Sequence, residues 1–526
     1  MPREPIIASH VKKLFVRAWF VELLYKRDML SGKGKPSKTP FGRLIRSLRS
    51  YFKKKLYGQR RDRYENGRTY GNLTDSLSPE EIICSMIKAV NGMTNVTEFH
   101  FEWRDLPLNK HTWNFLASAR TAFDANLRKL VLRAQVCKFK QLLAITSFDH
   151  VCELDFHFDY HPNTSSGDQF NTQLSRVERS DRQAIELDIQ DLLETVVPFI
   201  NHRRISLNSL TISSSSTMDL SKFFKALLPM PALRQFRARI YFDNNCLRDV
   251  SSILQLLETH STTLLRVELR PNLPEQANDR NQKLLEKQLD WLRLNELLLN
   301  SRTVLYGLES LEIPYVSPAK TVPLLCRSRD TLTRLYLTDH FLTKDEVTEV
   351  VGIFSHRPFE MQHLHVQVKN MDTSLIYMLA SRLPGLFSLV LVLDSVPTVS
   401  DYTTFISRLT QTSSQPELGP PNKTIRAALL DWKLCCLSVY IGRHLPSSPL
   451  MTSVSFMEES EIMIQICALV PSVKYCKGYP NQSYGCRRGR VYDIQTIPWR
   501  SSLVWQKMQK RNGKIARRDW DRPSGT

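Results

Sequence analysis

Residues 155 to 161 carry the densest set of metal-capable side chains in the sequence: Asp155, His157, Asp159 and His161. In an extended strand, alternate residues project to one side, so Asp155, His157 and Asp159 would converge. Imidazole together with carboxylates is a donor set suited to a transition metal. His363 and His365 repeat the same spacing. A closed metal site needs about four ligands, and neither group is accompanied by a second cluster at ligand spacing. The ten cysteines include no C-x-x-C pair. Both groups therefore read as polar faces of half-buried strands, and no metal or cofactor is assigned.

Catalytic motifs give an equally plain reading. Gly32-Lys-Gly34-Lys35 lacks the spacing by which a phosphate loop aims backbone amides at a nucleotide. The H-E-x-x-H, G-x-S-x-G and G-x-G-x-x-G patterns do not occur. The expectation is a protein that binds rather than one that catalyses.

The net charge of +20 is unevenly placed: residues 26–63 carry +12, residues 499–526 carry +6, and the rest of the chain only +2. Within residues 41–56, Phe41, Leu44, Ile45, Leu48, Phe52 and Leu56 fall at helical spacing. Arg43, Arg46, Arg49, Lys53, Lys54 and Lys55 surround them. Such a basic amphipathic helix either packs with a solvated cationic back or contacts an anionic partner, whether nucleic acid or membrane surface. No apolar run approaches the roughly 20 residues of a membrane-spanning helix. The N-terminal residues interleave Lys12, Lys13 and Arg17 with apolar ones, unlike a secretory signal. A cytoplasmic or nuclear protein with reduced thiols is expected.

What would position these groups is a repeated strand. An apolar residue, another three positions on and a third two further recur at Val96/Phe99/Phe101, Leu127/Leu130/Leu132, Val151/Leu154/Phe156, Leu207/Leu210/Ile212 and Leu264/Val267/Leu269. The series resumes at Leu308/Leu311/Ile313, Leu332/Leu335/Leu337, Met361/Leu364/Val366, Leu386/Leu389/Leu391 and Leu434/Leu437/Val439, and is extended to Val470/Val473/Tyr475. Val11/Leu14/Val16 opens it, Leu233/Phe236/Ala238 is a weaker copy, and Met451/Val454/Phe456 is one more. Polar residues between the last two apolar positions give the period of a strand buried on one face.

Helix signals lie between the strands. Ser78-Pro79-Glu80-Glu81 opens an apolar face of Ile82, Ile83, Met86, Ile87 and Val90, and Thr343 with Glu346 forms a capping box. A strand and helix repeating at this spacing cannot bury its apolar face alone and must stack. The pattern predicts an α/β, leucine-rich-repeat-like solenoid: an irregular horseshoe of short parallel strands and helices. Its expected parts are a first repeat strand in 1–25, a basic insertion in 26–75, the solenoid over 76–498 with loop insertions at 160–184 and 411–424, and a basic tail or cap at 499–526. A doubly wound sheet, the competing fold, would have continuously apolar strands.

With His10-Val11-Lys12-Lys13-Leu14-Phe15-Val16 as a first strand and units such as Leu332-Thr-Arg-Leu-Tyr-Leu337 and Leu308-Glu-Ser-Leu-Glu-Ile313, the chain resembles the leucine-rich-repeat portion of the large fungal class of F-box-associated proteins. The resemblance implies repeats that recruit substrates to a ubiquitin ligase and an N-terminal F-box that docks on the Skp1 adaptor. Only ten residues precede Val11, too few for an F-box, and Leu77–Ile83 falls where a repeat helix is expected. Skp1 is therefore a partner only if an unrecognised F-box exists.

In such a solenoid the strand residues between inward positions would face solvent on the concave side. That face would carry Glu98, His100 and Glu102; Lys129 and Arg133; Glu153, Asp155 and His157; Arg266, Glu268 and Arg270; Arg334 and Tyr336; and His363, His365 and Gln367. A mosaic of both signs suits a protein partner better than a phosphate backbone. The expected function is a protein-interaction scaffold, extending to a substrate receptor. The alternative is association with nucleic acid or an anionic membrane through residues 26–63 and 499–526.

Overall fold

A computed structural model describes residues 8–17, 79–103, 110–146, 148–159, 183, 185–214, 218–242, 246–271, 291–355, 360–371, 373–394, 427–441, 470–477 and 491–493. The basic segments 26–63 and 499–526, the loop 411–424, all of 160–184 except residue 183, and the Met451/Val454/Phe456 copy lie outside them. The chain divides at Val304/Leu305 into two compact units.

The first unit contains seven parallel strands hydrogen-bonded in chain order: β1 (Lys13–Arg17), β2 (Glu98–Glu102), β3 (Lys129–Gln135), β4 (Glu153–Asp159), β5 (Ser209–Ser214), β6 (Gln235–Ile240) and β7 (Arg266–Pro271). The second contains β8 (Ser310–Pro314), β9 (Arg334–Thr338), β10 (His363–Val368), β11 (Ser388–Leu393), β12 (Cys436–Ile441) and β13 (Tyr475–Lys477), also parallel and in order. A last strand, β14 (Val491–Asp493), pairs antiparallel with β13. Helices intervene at Pro79–Asn91, Lys110–Phe123, Phe139–Ile145, Ser221–Ala226 and Ser251–Thr259 in the first unit. In the second they lie at Pro318–Arg327, Lys344–Phe354 and Thr373–Arg382. Each unit thus has the leucine-rich-repeat-like solenoid architecture that the alternating pattern predicts.

One backbone device recurs at each junction between consecutive parallel strands within a unit. The carbonyl just before a strand accepts two consecutive amides from the next repeat: Thr97 O from Arg128 and Lys129, Cys152 O from Asn208 and Ser209, Gln362 O from Phe387 and Ser388. This fixes register independently of side chains. The inward positions then align into two apolar columns. In the first unit these run Phe99–Leu130–Leu154–Leu210–Phe236–Val267 and Phe101–Leu132–Phe156–Ile212–Ala238–Leu269, all buried. Each such side chain removed from water contributes about 1.5–3 kcal/mol, which offsets the chain entropy of ordering a repeat.

The helix signals translate directly where a cap is present. Thr343 Oγ1 accepts the Glu346 amide at 3.3 Å, and the Glu346 carboxylate accepts the Thr343 amide at 2.7 Å. Pro79 begins its helix, which packs against Lys110–Phe123 as a repeat helix between β1 and β2. The helix Pro318–Arg327 opens on Ser317-Pro318, the same pair of residue types as Ser78-Pro79, and holds Pro323 in its interior.

The last parallel repeat is displaced from the sequence expectation. Leu437 pairs with Cys476, so the inward triplet begins at Val473 and continues to Cys476, three residues beyond the expected Val470/Val473/Tyr475. Tyr475 consequently points to the open side and is exposed, whereas Val473 is buried. The physical reason is that the ladder bonds from Lys474 and Tyr475 to Cys435 O set the register, and the apolar template tolerates both alignments. Val473→Ala should therefore cost about 1–2 kcal/mol while Tyr475→Ala costs under about 0.5 kcal/mol, read by denaturant titration. Equal costs would restore the other register.

Candidate functional site

Alternating burial leaves one sheet face packed under helices and the other open. On the open face of the first unit the register lines up three columns across β1 to β7. The first runs Lys13–Glu98–Lys129–Glu153–Ser209–Gln235–Arg266. The second runs Phe15–His100–Val131–Asp155–Thr211–Arg237–Glu268, and the third Arg17–Glu102–Arg133–His157–Ser213–Arg239–Arg270. Strand neighbours lie about 4.8 Å apart, so opposite signs in adjacent repeats meet.

The expected face residues are therefore assembled as one surface within the unit, yet their charges first satisfy each other. Glu98 is held by Lys13 at 2.5 Å, Lys129 at 3.0 Å and His100 at 2.7 Å. Arg17 lies 3.7 Å from Glu102. Arg133 donates to Asp159 at 2.7 Å, and His157 Nε2 lies 2.9 Å from Asp155 Oδ1. Glu268 accepts Arg237 Nε at 3.1 Å and Arg239 Nε at 2.5 Å. Glu98 and Glu268 are buried, which corrects their expected solvent-facing placement: a carboxylate between two cations in adjacent strands is covered by their long side chains. Asp159, once aligned with Asp155 and His157 as a ligand candidate, is turned to Arg133. Among the described residues no group of three or more His, Cys, Asp or Glu side chains is arranged to hold a metal ion.

Burial pushes the Glu98 pKa up, but hydrogen bonds from Lys13, His100 and Lys129, with the charge of Lys129, outweigh it and hold the carboxyl at about 2 instead of 4.5. The folded value lies below the unfolded one, so this pairing stabilises fully above about pH 4.5 and is lost as pH falls toward 2. Glu98→Gln should flatten the acid limb of stability in that window. Thermal melts across it would show the effect, and an unchanged limb would exclude the pairing as its source. Burial likewise lowers the pKa of His100, against the raising effect of Glu98.

The open face of the second unit differs in character. Its columns run Ser310–Arg334–His363–Ser388–Cys436–Tyr475 and Glu312–Tyr336–His365–Val390–Ser438, with Gln367–Val392–Tyr440 beyond. Charge gives way to aromatic and apolar groups: the Tyr336 and His365 rings lie 5.9 Å apart, and His363 approaches exposed Phe387 at 6.1 Å. Burial lowers the pKa of His363, and Arg334 lowers it further.

The sequence reading missed Lys13, Phe15, Arg17, Val131, Arg237, Arg239, Val390 and Tyr440 on these faces. Aligning repeats on the apolar template would have found the first group, since Lys13, Glu98, Lys129 and Glu153 alternate in sign at one template position. Phe15 stacks on His100 with ring centroids 3.9 Å apart, an extension of the face onto the first strand. The basic-contact residues Arg43, Arg46, Arg49, Lys53, Lys54 and Lys55 lie outside the described residues.

The fold defines a class, repeat proteins whose strands present one open face. Comparison with known proteins adds little to that. No family model matches the chain, and no curated protein matches it. Among solved structures it is similar to the leucine-rich repeat-containing protein LegL7 from Legionella pneumophila, at 13% identity over 65% of this chain and 89% of that one, with a TM-score of 0.28. The assignment of fold rests on strand order, register and burial. No helix among the described residues is long and apolar enough to cross a membrane.

Proposed function

We propose that the chain is a protein-interaction scaffold that acts by binding, not catalysis, and that the open strand faces are its recognition surface. The observation that supports this most is the alignment of polar and aromatic columns across successive repeats, left uncovered by the helices of the same repeats. Self-neutralised charge of mixed sign disfavours a uniform polyanion and favours a partner with its own mosaic. The exposed members, Phe15, Arg266 and Tyr475, are the residues to alter, because they can change without uncovering a buried charge.

Affinity purification with quantitative mass spectrometry tests the reading. A Phe15→Ala/Arg266→Glu/Tyr475→Ala variant should lose partners that the parent recovers. A variant altered at helix-side Thr121, Gln255 and Glu349 should retain them. The reverse outcome would move the binding surface to the helices. The resemblance to F-box-associated proteins supports a narrower role as a substrate receptor; recovery of Skp1 and a cullin with the parent is the expected sign of it. A second contact with an anionic partner rests on the +12 carried by residues 26–63 and the +6 of 499–526.

A further inference from the structure

The open face of the second unit holds a cation that the fold does not neutralise. Arg334 on β9 is half-buried, its Nε is buried without a hydrogen-bond partner, and no carboxylate among the described residues pairs with it. In the first unit, by contrast, Lys13, Lys129, Arg133 and Arg237 each meet a carboxylate. Arg334 stands in a column without an acid: Ser310 of β8 and His363 of β10 oppose it in register, and Ser388 of β11 opposes His363. Ser310, His363 and Ser388 are half-buried, so the column is reachable from solvent. Burial and the Arg334 charge push the His363 pKa down, so near neutral pH its ring brings an N–H donor without a second charge. Aromatic surface borders the column: His363 approaches the exposed Phe387 at 6.1 Å, and Tyr336 follows Arg334 by two positions on the same face. A guanidinium partly withdrawn from water without a counter-charge is stabilised by an anion that reaches it.

From this arrangement we infer that the Arg334–His363 column receives the side-chain carboxylate of an Asp or Glu flanked by aromatic residues in a partner protein. The inference deepens the scaffold reading and rests on it. A carboxylate fits better than a phosphate dianion. One planar guanidinium matches one carboxylate in a paired contact, whereas phosphorylated segments are ordinarily held by clusters of arginines. Glu312, one strand and one column from Arg334, would repel a second negative charge. A chain-terminal carboxylate is disfavoured as well. Such termini are captured by free backbone amides, and the Arg334 and His363 amides already donate to the Glu309 and Thr333 carbonyls of the preceding repeats. Phe387 and Tyr336 supply the apolar contact that a lone ion pair on a wet surface lacks.

The test uses the full chain, carbon-13 labelled at histidine Cε1, and the peptide acetyl-Gly-Phe-Asp-Phe-Gly-amide. The readout is the His363 signal in NMR spectra, assigned by its loss in H363Q. That signal should shift saturably with the Asp peptide, and R334Q should weaken the binding about tenfold or more. K344Q, the same charge change on an exposed helix residue of this unit, should leave binding unchanged, with circular dichroism showing both variants folded. Replacing the peptide's Asp by Asn should weaken binding as much as R334Q does. Equal binding of the Asp and Asn peptides would reduce the contact to aromatic packing and overturn the carboxylate. Tighter binding of a phosphoserine peptide, lost in R334Q, would make the column a phosphate site instead. An unmoved His363 signal with all three peptides, while Tyr475 still crosslinks to a protein partner, would sink the inference and leave the scaffold reading standing.

Discussion

Phe156→Ala should remove about 3–5 kcal/mol of stability, the largest single loss expected from the strand core of the first unit. Phe156 is fully buried on the inward side of β4. Its ring meets Phe139 edge-on at 5.6 Å, Phe199 at 6.1 Å and Phe158 at 6.5 Å. The truncation therefore empties a site walled by a strand neighbour and by the helices Phe139–Ile145 and Val197–His202 of two successive repeats. Collapse of those walls is limited by Arg203, whose guanidinium carbon lies 3.8 Å from the Phe199 ring centroid. Phe156→Leu fills much of the space and should cost less than half as much. Urea titration followed by tryptophan fluorescence would measure both; a Phe156→Ala loss below about 1 kcal/mol would mean the cluster is not a packed unit.

The second large effect concerns Glu268. Its carboxylate is the common acceptor for Arg237 and Arg239, and it is buried while they are a little over one-third exposed. Removing it in Glu268→Ala leaves two cations crowded without the negative charge between them. Breaking a fully buried pair costs about 3–5 kcal/mol, but the exposure of the arginines screens much of that, so about 2 kcal/mol is expected. Arg239→Ala on the Glu268→Ala background should restore part of the loss, giving a coupling of about 1 kcal/mol in a double-mutant cycle. Strict additivity of the two substitutions would show that Glu268 does not organise the cluster.

These effects also mark what was readable in the sequence. Leu130, Phe156, Leu335 and Leu389 announced the strands, because a face buried under helices forces an apolar period of two. The capping box at Thr343 and Glu346 announced its helix because it is local. Register was less readable: the template fits both Val470/Val473/Tyr475 and a start at Val473, and only the bonds to Cys435 O decide between them. Charge pairing was least readable. Lys13 and Glu98 meet at 2.5 Å although 85 positions separate them, so a list of polar strand residues says where charges stand but not which are already satisfied. For that reason Glu98 and Glu268 looked like recognition residues in sequence and are braces in the structure, while Phe15, Arg266 and Tyr475 carry the exposed surface.

Photo-crosslinking reads recognition through the open strand faces most directly. A benzophenone amino acid placed at Phe15, Arg266 or Tyr475, and separately at Thr121, Gln255 or Glu349 on the helix side, would report contacts in the protein's own cells. Within each unit the strand-face positions should yield crosslinks to a protein partner, and the helix-side positions of that unit should yield none to it. Crosslinks to that partner from the helix-side positions alone would contradict recognition through the strand faces.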